Sequence, residues 1–297
     1  MLNIKKILVP VDFSATSKMA VNYGLSLALE FQAKLILAHI VVYEPRAYDE
    51  AKAHLLELIP AELREKLNFE IIVKSGDVRG EILGIVKDID IDLVVMGTHG
   101  RSTIERMLLG SVTERMLRKL PVPVLTVSHL DREKEMHKPE PVSLRRILYA
   151  TDLSDDSEPG LAFAIRLARE LDARLTVTHI VEPINTSLLS TEMATHFSEF
   201  SVNIRAEAEE RLNQFVALRS DGTVPITTVL AEGFPSETIN KIAARCKADL
   251  IVINLQSRGL LDRALLGSTA ERVIRTATVP VLSLPLPPTY ASRWAAA

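Results

Sequence analysis

Apolar and polar positions alternate along the chain between short β-branched runs and longer stretches with helical spacing. In the first half the runs lie near Ile4–Val11, Lys34–Val41, Phe69–Lys74, Leu93–Met96 and Val122–Val127, each the length of a strand. Between the first two, Ala20, Tyr23, Gly24, Leu27, Ala28 and Phe31 recur every three or four residues behind Ser14, a candidate N-cap. Five strands alternating with four helices predict βαβ units, and therefore parallel strands joined by right-handed crossovers. A sheet of this kind is usually doubly wound, with a ligand crevice at the carboxyl ends of its strands where strand order reverses.

The pattern then repeats. Lys5 to Ser14 aligns with Arg145 to Ser154, an offset of 140 residues as between Asp12 and Asp152, and His39-Ile40-Val41 falls on His179-Ile180-Val181. Later, Leu109-Gly110-Ser111 aligns with Leu266-Gly267-Ser268 at an offset of 157. The second copy has therefore gained residues between its second and third strands, around Glu182 to Leu218, where the charged helical run Arg205 to Arg211 reads as a solvated face in preference to a cover for the second site or a partner surface. The expected architecture is α/β: two repeated doubly wound domains, each a five-stranded parallel sheet flanked by helices. The first domain spans 1–128, a charged, proline-bearing linker 129–143, the second domain 144–286 and a tail 287–297. The last strands, Val122–Val127 and Val279–Leu284, have the alternation and prolines of edge strands.

Composition narrows the functional classes. With 47% hydrophobic and 25% charged residues the chain can bury two cores, and a net charge of -3 argues against a nucleic-acid binder, which needs a strongly basic face. The single cysteine, Cys246, permits no intrachain disulfide or cysteine metal cage, fits a reducing compartment, and lies in a helical pattern as a packed or bystander thiol. No apolar stretch approaches the roughly 20 residues that span a bilayer. A soluble, cytoplasmic protein without a membrane or nucleic-acid partner is expected.

The stretch richest in chemistry is Met96-Gly97-Thr98-His99-Gly100, followed by Gly110-Ser111-Val112-Thr113-Glu114. It runs from a strand end to a helix start. Its glycines suit tight turns with positive φ and close approach of backbone N–H groups to an anion, and the helix N-terminus adds donors and a positive dipole end. Together they form a candidate phosphate cradle. The competing explanation is structural: Gly97 and Gly100 shape a turn, and Ser111-Val112-Thr113-Glu114 is a capping box. The second copy keeps Gly267 to Arg272, and with it that box, but has Asn254 for Gly97 and Ser257 for Gly100, with Gly259 nearby. A weaker phosphate grip is expected there.

These residues resemble the universal stress proteins, and specifically their ATP-binding branch, almost end to end in both halves. The resemblance rests on Pro10-Val11-Asp12-Phe13-Ser14, on His39-Ile40, and on the Met96 to Gly100 and Gly110 to Glu114 blocks. It implies that Pro10, Val11 and Asp12 meet the adenosine end of ATP or ADP and that Ile40 lines the adenine pocket. Met96, Gly97, His99 and Gly100 would then flank ribose and phosphates, and Gly110, Ser111, Val112 and Thr113 would hold the phosphate tail, with any Mg²⁺ arriving on the nucleotide. It also implies that edge strands pair, giving a pseudo-twofold unit within the chain and room for a homodimer. Ala150, Asn254, Leu255, Gln256 and Ser257 depart from the family pattern in the second copy.

Neither a P-loop nor a dinucleotide fingerprint is present. His39, His179 and His99 are candidates for structural, ligand-contacting, metal-binding or pH-sensitive roles, the first two being favoured. No catalytic residue is assigned, and ATP hydrolysis is expected to be weak at most. The expectation is an adenine-nucleotide-binding stress-response regulator with an unknown regulatory partner; the alternatives are a nucleotide-independent scaffold and a slow ATP hydrolase.

Overall fold

The computed structural model describes residues 2–41, 47–99, 109–128, 142–183, 191–255 and 266–285. Gly100, Gln256, Ser257, Gly259, most of the expected linker and the expected tail lie outside these residues. The N-terminal repeat consists of β1 (Lys6–Pro10), α1 (Ala15–Glu30), β2 (Lys34–Val41), α2 (Ala47–Glu57), α3 (Ala61–Arg64), β3 (Phe69–Ser75), α4 (Val78–Asp88), β4 (Leu93–Gly97), α5 (Ser111–Lys119) and β5 (Val124–Val127). The C-terminal repeat consists of β6 (Arg146–Thr151), α6 (Glu158–Glu170), β7 (Arg174–Val181), α7 (Thr191–Ala217), β8 (Ile226–Glu232), α8 (Pro235–Arg245), β9 (Leu250–Asn254), α9 (Ser268–Thr276) and β10 (Val281–Leu284). The one-turn α3 adds a helix to the four that periodicity predicts. The residues gained in the second copy build α7, where Arg205, Glu207, Glu209, Glu210 and Arg211 are exposed as expected and Arg205 pairs with Glu232 at 3.0 Å.

The two offsets reproduce the backbone as well as the sequence. Left-handed φ recurs at Phe13 and Leu153, at Gln32 and Asp172, at Asp90 and Lys247, and at Gly76 and Gly233. Three of these pairs carry side chains, for which the left-handed region costs roughly 1 kcal/mol or more. The same turns are therefore imposed twice by the packing around them.

The ten strands among the described residues join in one sheet, in the order β3-β2-β1-β4-β5-β10-β9-β6-β7-β8. Neighbours are parallel within each half, and β5 and β10 meet antiparallel. At this seam Leu125 stands opposite Leu282, Val124 opposite Ser283 and Thr126 opposite Val281. Leu125 and Leu282 are equivalent positions of the repeat, so the pseudo-twofold axis passes between them. The Thr126 hydroxyl donates to the Val281 carbonyl at 3.1 Å inside the seam. Because the strands run in opposite senses on either side of it, the carboxyl ends of the two halves, and hence their crevices, face opposite ends of the sheet.

Alternate residues of each strand feed two apolar layers. Ile7, Val9, Leu35, Leu37, Tyr149 and Val177 pack with α1, α2, α6 and α7, while Leu8, Ile36, Val94, Leu148 and Ile251 pack with α4, α5, α8 and α9. Each layer contains residues of both repeats, so burial of apolar surface couples the halves as well as building each one. Cys246 is half-buried at the end of α8, with its thiol turned to the Ala243 carbonyl at 3.6 Å. No described helix is long and apolar enough to cross a membrane.

Candidate functional site

In the N-terminal half strand order reverses between β1 and β4, and the residues at their carboxyl ends are held by local hydrogen bonds. The left-handed turn at Phe13 lets the Asp12 carboxylate accept from the Ser14 amide at 3.0 Å and from its hydroxyl at 2.6 Å. Ser14 in turn caps α1, accepting from the Ser17 amide at 3.2 Å. Val11 is clamped on both sides: its amide donates to the Ala38 carbonyl at 2.8 Å, and its carbonyl lies 2.6 Å from His39 Nδ1. His39 and its repeat equivalent, His179, which meets the Thr151 carbonyl at 2.9 Å, therefore each have a backbone-ordering role.

The glycine segment is anchored from the other side. Thr98 N donates to the Val127 carbonyl at 2.9 Å, and the Gly110 amide returns to the Thr98 carbonyl at 2.8 Å, closing the loop between β4 and α5. The Thr16 hydroxyl donates to the His99 carbonyl at 2.5 Å and lies 3.2 Å from the Ser14 hydroxyl. A chain of polar contacts thus runs from the Asp12 carboxylate through Ser14 and Thr16 to the glycine segment.

Two sequence expectations need correction here. Ser111 is not an N-cap: Gly110 occupies that position in α5, offers no side chain to the first turn, and Glu114 pairs with Arg118 at 2.8 Å. The first turn of α5 is thus bare of side-chain caps, which leaves its N–H groups available to a ligand. Gly267 begins α9 in the same way, so the second copy has no capping box either. Nor does Gly97 adopt a positive φ; it is small because a Cβ there would lie 2.7 Å from Thr16 Oγ1 and 2.8 Å from Thr16 Cβ. Gly97 serves the contact between α1 and β4.

The described residues among those that the resemblance assigns to a nucleotide all line one cavity of about 430 Å³, Gly100 lying outside the described residues. Pro10, Val11 and Asp12 come from the end of β1, Ile40 from β2, Met96, Gly97 and His99 from β4 and the residues after it, and Gly110, Ser111, Val112 and Thr113 from the start of α5. The Thr113 hydroxyl is engaged with the Gly97 carbonyl at 2.8 Å, which leaves the Thr113 backbone to face a ligand. Sequence reading missed Ser17, Ala38, Val78 and Ile82, which also line the cavity. Their signals were present: Ala38 alternates with Ile40 on β2, and Val78 and Ile82 are one turn apart on α4. The cavity combines an apolar wall, a carboxylate at one side and a helix N-terminus at the other, a combination suited to a flat ring bearing hydroxyls and an anionic tail.

The C-terminal half has its own cavity, of about 280 Å³. Among the described residues, every residue lining the first cavity except Ser17 has its repeat equivalent lining the second; Gln256, which corresponds to His99, lies outside the described residues. The Asn254 side chain, which stands where the first copy has Gly97, is tied to the neighbouring core. Its Nδ2 donates to the Tyr149 hydroxyl at 3.3 Å, and that hydroxyl donates to the Ser157 carbonyl at 2.7 Å. Gly160 makes the space, because a Cβ there would sit 2.6 Å from the Tyr149 hydroxyl oxygen. The N-terminal equivalents of Tyr149, Gly160 and Asn254 are Val9, Ala20 and Gly97, so bulk removed from the helix has been returned by the two strands.

The sequence matches the Universal stress protein family over residues 3–128 and again over 143–285. A universal stress protein of Methanocaldococcus jannaschii is 34% identical over 143 residues, which cover 48% of this chain and 83% of that one. Among solved structures, a putative universal stress protein from Pseudomonas aeruginosa superposes with a TM-score of 0.69 at 22% identity, over 98% of this chain and 96% of its own. One from Archaeoglobus fulgidus gives 0.67 at 21% identity, over 95% and 96%.

Proposed function

The chain belongs to the universal stress protein family, carrying the family's domain twice, and from that premise we propose that its N-terminal cavity binds an adenine nucleotide, ATP or ADP, in a stress-response regulator. The observation that carries this reading is the pairing, across one cavity of about 430 Å³, of the Asp12 carboxylate with the uncapped first turn of α5. Asp12 would accept from ribose hydroxyls or the adenine amine, with Ile40, Val78, Ile82 and Met96 against the ring. The backbone N–H groups of Ser111, Val112 and Thr113 would face the phosphates. Any Mg²⁺ would enter on the phosphates.

Occupancy of such a site would act by favouring, through differential affinity, one conformation of the protein over another. A reducing cytoplasm fits the single Cys246. Because β5 and β10 consume each other's edges, a homodimer of whole chains would form through other surfaces.

The test is Ser111→Glu. Ser111 is exposed in the first turn of α5, where a carboxylate favours the helix but opposes a phosphate. The purified wild-type chain should release ATP or ADP on denaturation or bind it on titration. The variant should do neither while keeping its melting temperature. Equal nucleotide binding by the variant would refute a phosphate site at α5, and no binding by wild type would leave a scaffold acting through protein contacts.

A further inference from the structure

We infer that the C-terminal cavity is a second, separate ligand site and that it takes an uncharged nucleoside in preference to a nucleoside polyphosphate. The inference adopts from the reading above the pairing of a carboxylate with a sugar, but it concerns different residues and is tested separately.

The first ground is that this cavity is built. It lies at the carboxyl ends of β6 and β9, where strand order reverses for a second time, and among the described residues keeps the N-terminal plan at every lining position but that of Ser17. Asp152 repeats Asp12 and is set by the same turn, its carboxylate accepting from the Ser154 amide at 3.0 Å after the left-handed Leu153. His179 repeats the His39 clamp. Ile180, Ile239 and Ile253 supply an apolar wall of the kind Ile40, Ile82 and Met96 supply in the first cavity. Asn254 does not spoil the plan, since its side-chain amide is engaged by Tyr149.

The second ground is charge and size. Glu182 lines this cavity alongside Asp152, and these two carboxylates are the charged side chains among its described lining residues. The sequence has Val42 at the position repeated as Glu182. Asp152 has its counterpart in Asp12, and the first turn of α9 is as bare as that of α5, so the distinguishing charge is Glu182, whose carboxylate opposes a polyphosphate here while both carboxylates can accept hydrogen bonds from hydroxyl or amino groups. The volume is about two thirds of that in the N-terminal half. A flat heteroaromatic ring against the isoleucines, with its sugar hydroxyls turned to Asp152, satisfies these features without an anionic tail. Glu182 thus disfavours the tail, and the apolar wall with Asp152 admits the rest.

Calorimetric titration of the full chain with adenosine and, separately, with ATP tests this. Wild type should bind two adenosines but one ATP per chain. Asp152→Asn, whose amide oxygen can still accept from Ser154, should reduce adenosine to one per chain and leave ATP unchanged. Asp12→Asn should weaken ATP at least tenfold while one adenosine per chain binds as before. Glu182→Lys, at an exposed position, should admit a second ATP. Adenosine binding that is unaffected by Asp152→Asn, or an ATP in wild type that Asp152→Asn removes, would overturn the inference. If wild type bound no ATP but held an adenosine that Asp152→Asn released, the N-terminal reading would fail and this one would stand.

Discussion

The Thr16 hydroxyl reaches across from the first turn of α1 to the carbonyl of His99, 2.5 Å away and 83 positions later in the chain. Through Ser14 this contact continues to Asp12, so one polar line joins the two ends of the N-terminal cavity. Thr16→Val keeps the shape that abuts Gly97 and removes the donor. One lost hydrogen bond is worth about 1 kcal/mol, and we expect ATP affinity to fall by about fivefold. Thr16→Ser should restore it, and calorimetric titration of both variants would reveal any other outcome.

Gly97→Ala should destabilise the chain by about 1–3 kcal/mol, the usual cost of forcing a methyl into packed structure. The new Cβ would lie 3.0 Å from the Thr16 backbone carbon as well as against its side chain, so a side-chain rotation cannot relieve it. Urea denaturation measures the loss. An unchanged midpoint would mean that α1 shifts freely on β4.

In the other half the crowding is mutual. Gly160→Ala alone meets Tyr149 and Asn254 and should cost about 1–3 kcal/mol. Combined with Asn254→Gly, which removes one of the two obstacles, it should cost less than the sum of the two single changes. That coupling, read from a double-mutant cycle, is the signature of volume exchanged between α6 and β9.

Tyr149→Phe keeps the ring and removes a hydroxyl that serves both the Ser157 carbonyl and the Asn254 amide. Tyr149 is fully buried, and leaving its partners unsatisfied should cost about 1–3 kcal/mol. Thermal unfolding in the presence and absence of adenosine would show whether the loss is confined to the fold.

Leu282→Ala hollows the seam where Leu125 and Leu282 face one another and should cost about 2–5 kcal/mol. Because both apolar layers contain residues of both halves, wild type should melt in a single transition, with calorimetric and van't Hoff enthalpies in agreement. In the variant the halves should begin to melt separately. Two transitions already present in wild type would show that the shared layers do not couple the repeats.

Most of the sheet was legible in the sequence because strands buried on both faces must be continuous apolar runs. Lys34–Val41 is such a run, and β2 has those bounds. The offsets 140 and 157 then carried each element of the first half onto the second. The site residues were legible as a set because they cluster at strand ends and a helix start. Their reasons were less so. Gly97 reads as a conformational requirement, yet its smallness answers to Thr16, a contact across 81 positions that no local pattern reveals. Ser111 reads as a cap because capping rules are local, whereas the loop closure from Gly110 to Thr98 sets where α5 begins. Asn254 reads as a conformational stand-in for Gly97 until Gly160 and Tyr149 are seen beside it. In each case a neighbour distant in sequence decided the role.

The seam at Leu125 and Leu282 has a consequence for inheritance. Two separate copies of one chain meeting about such an axis would receive every substitution twice, so neither site could change without the other. Joined end to end, the halves receive each change once. Tyr149, Gly160 and Asn254 in one half, against Val9, Ala20 and Gly97 in the other, mark how far they have drifted apart under a shared fold. The tandem chain keeps the symmetry of a pair without its obligation to be identical.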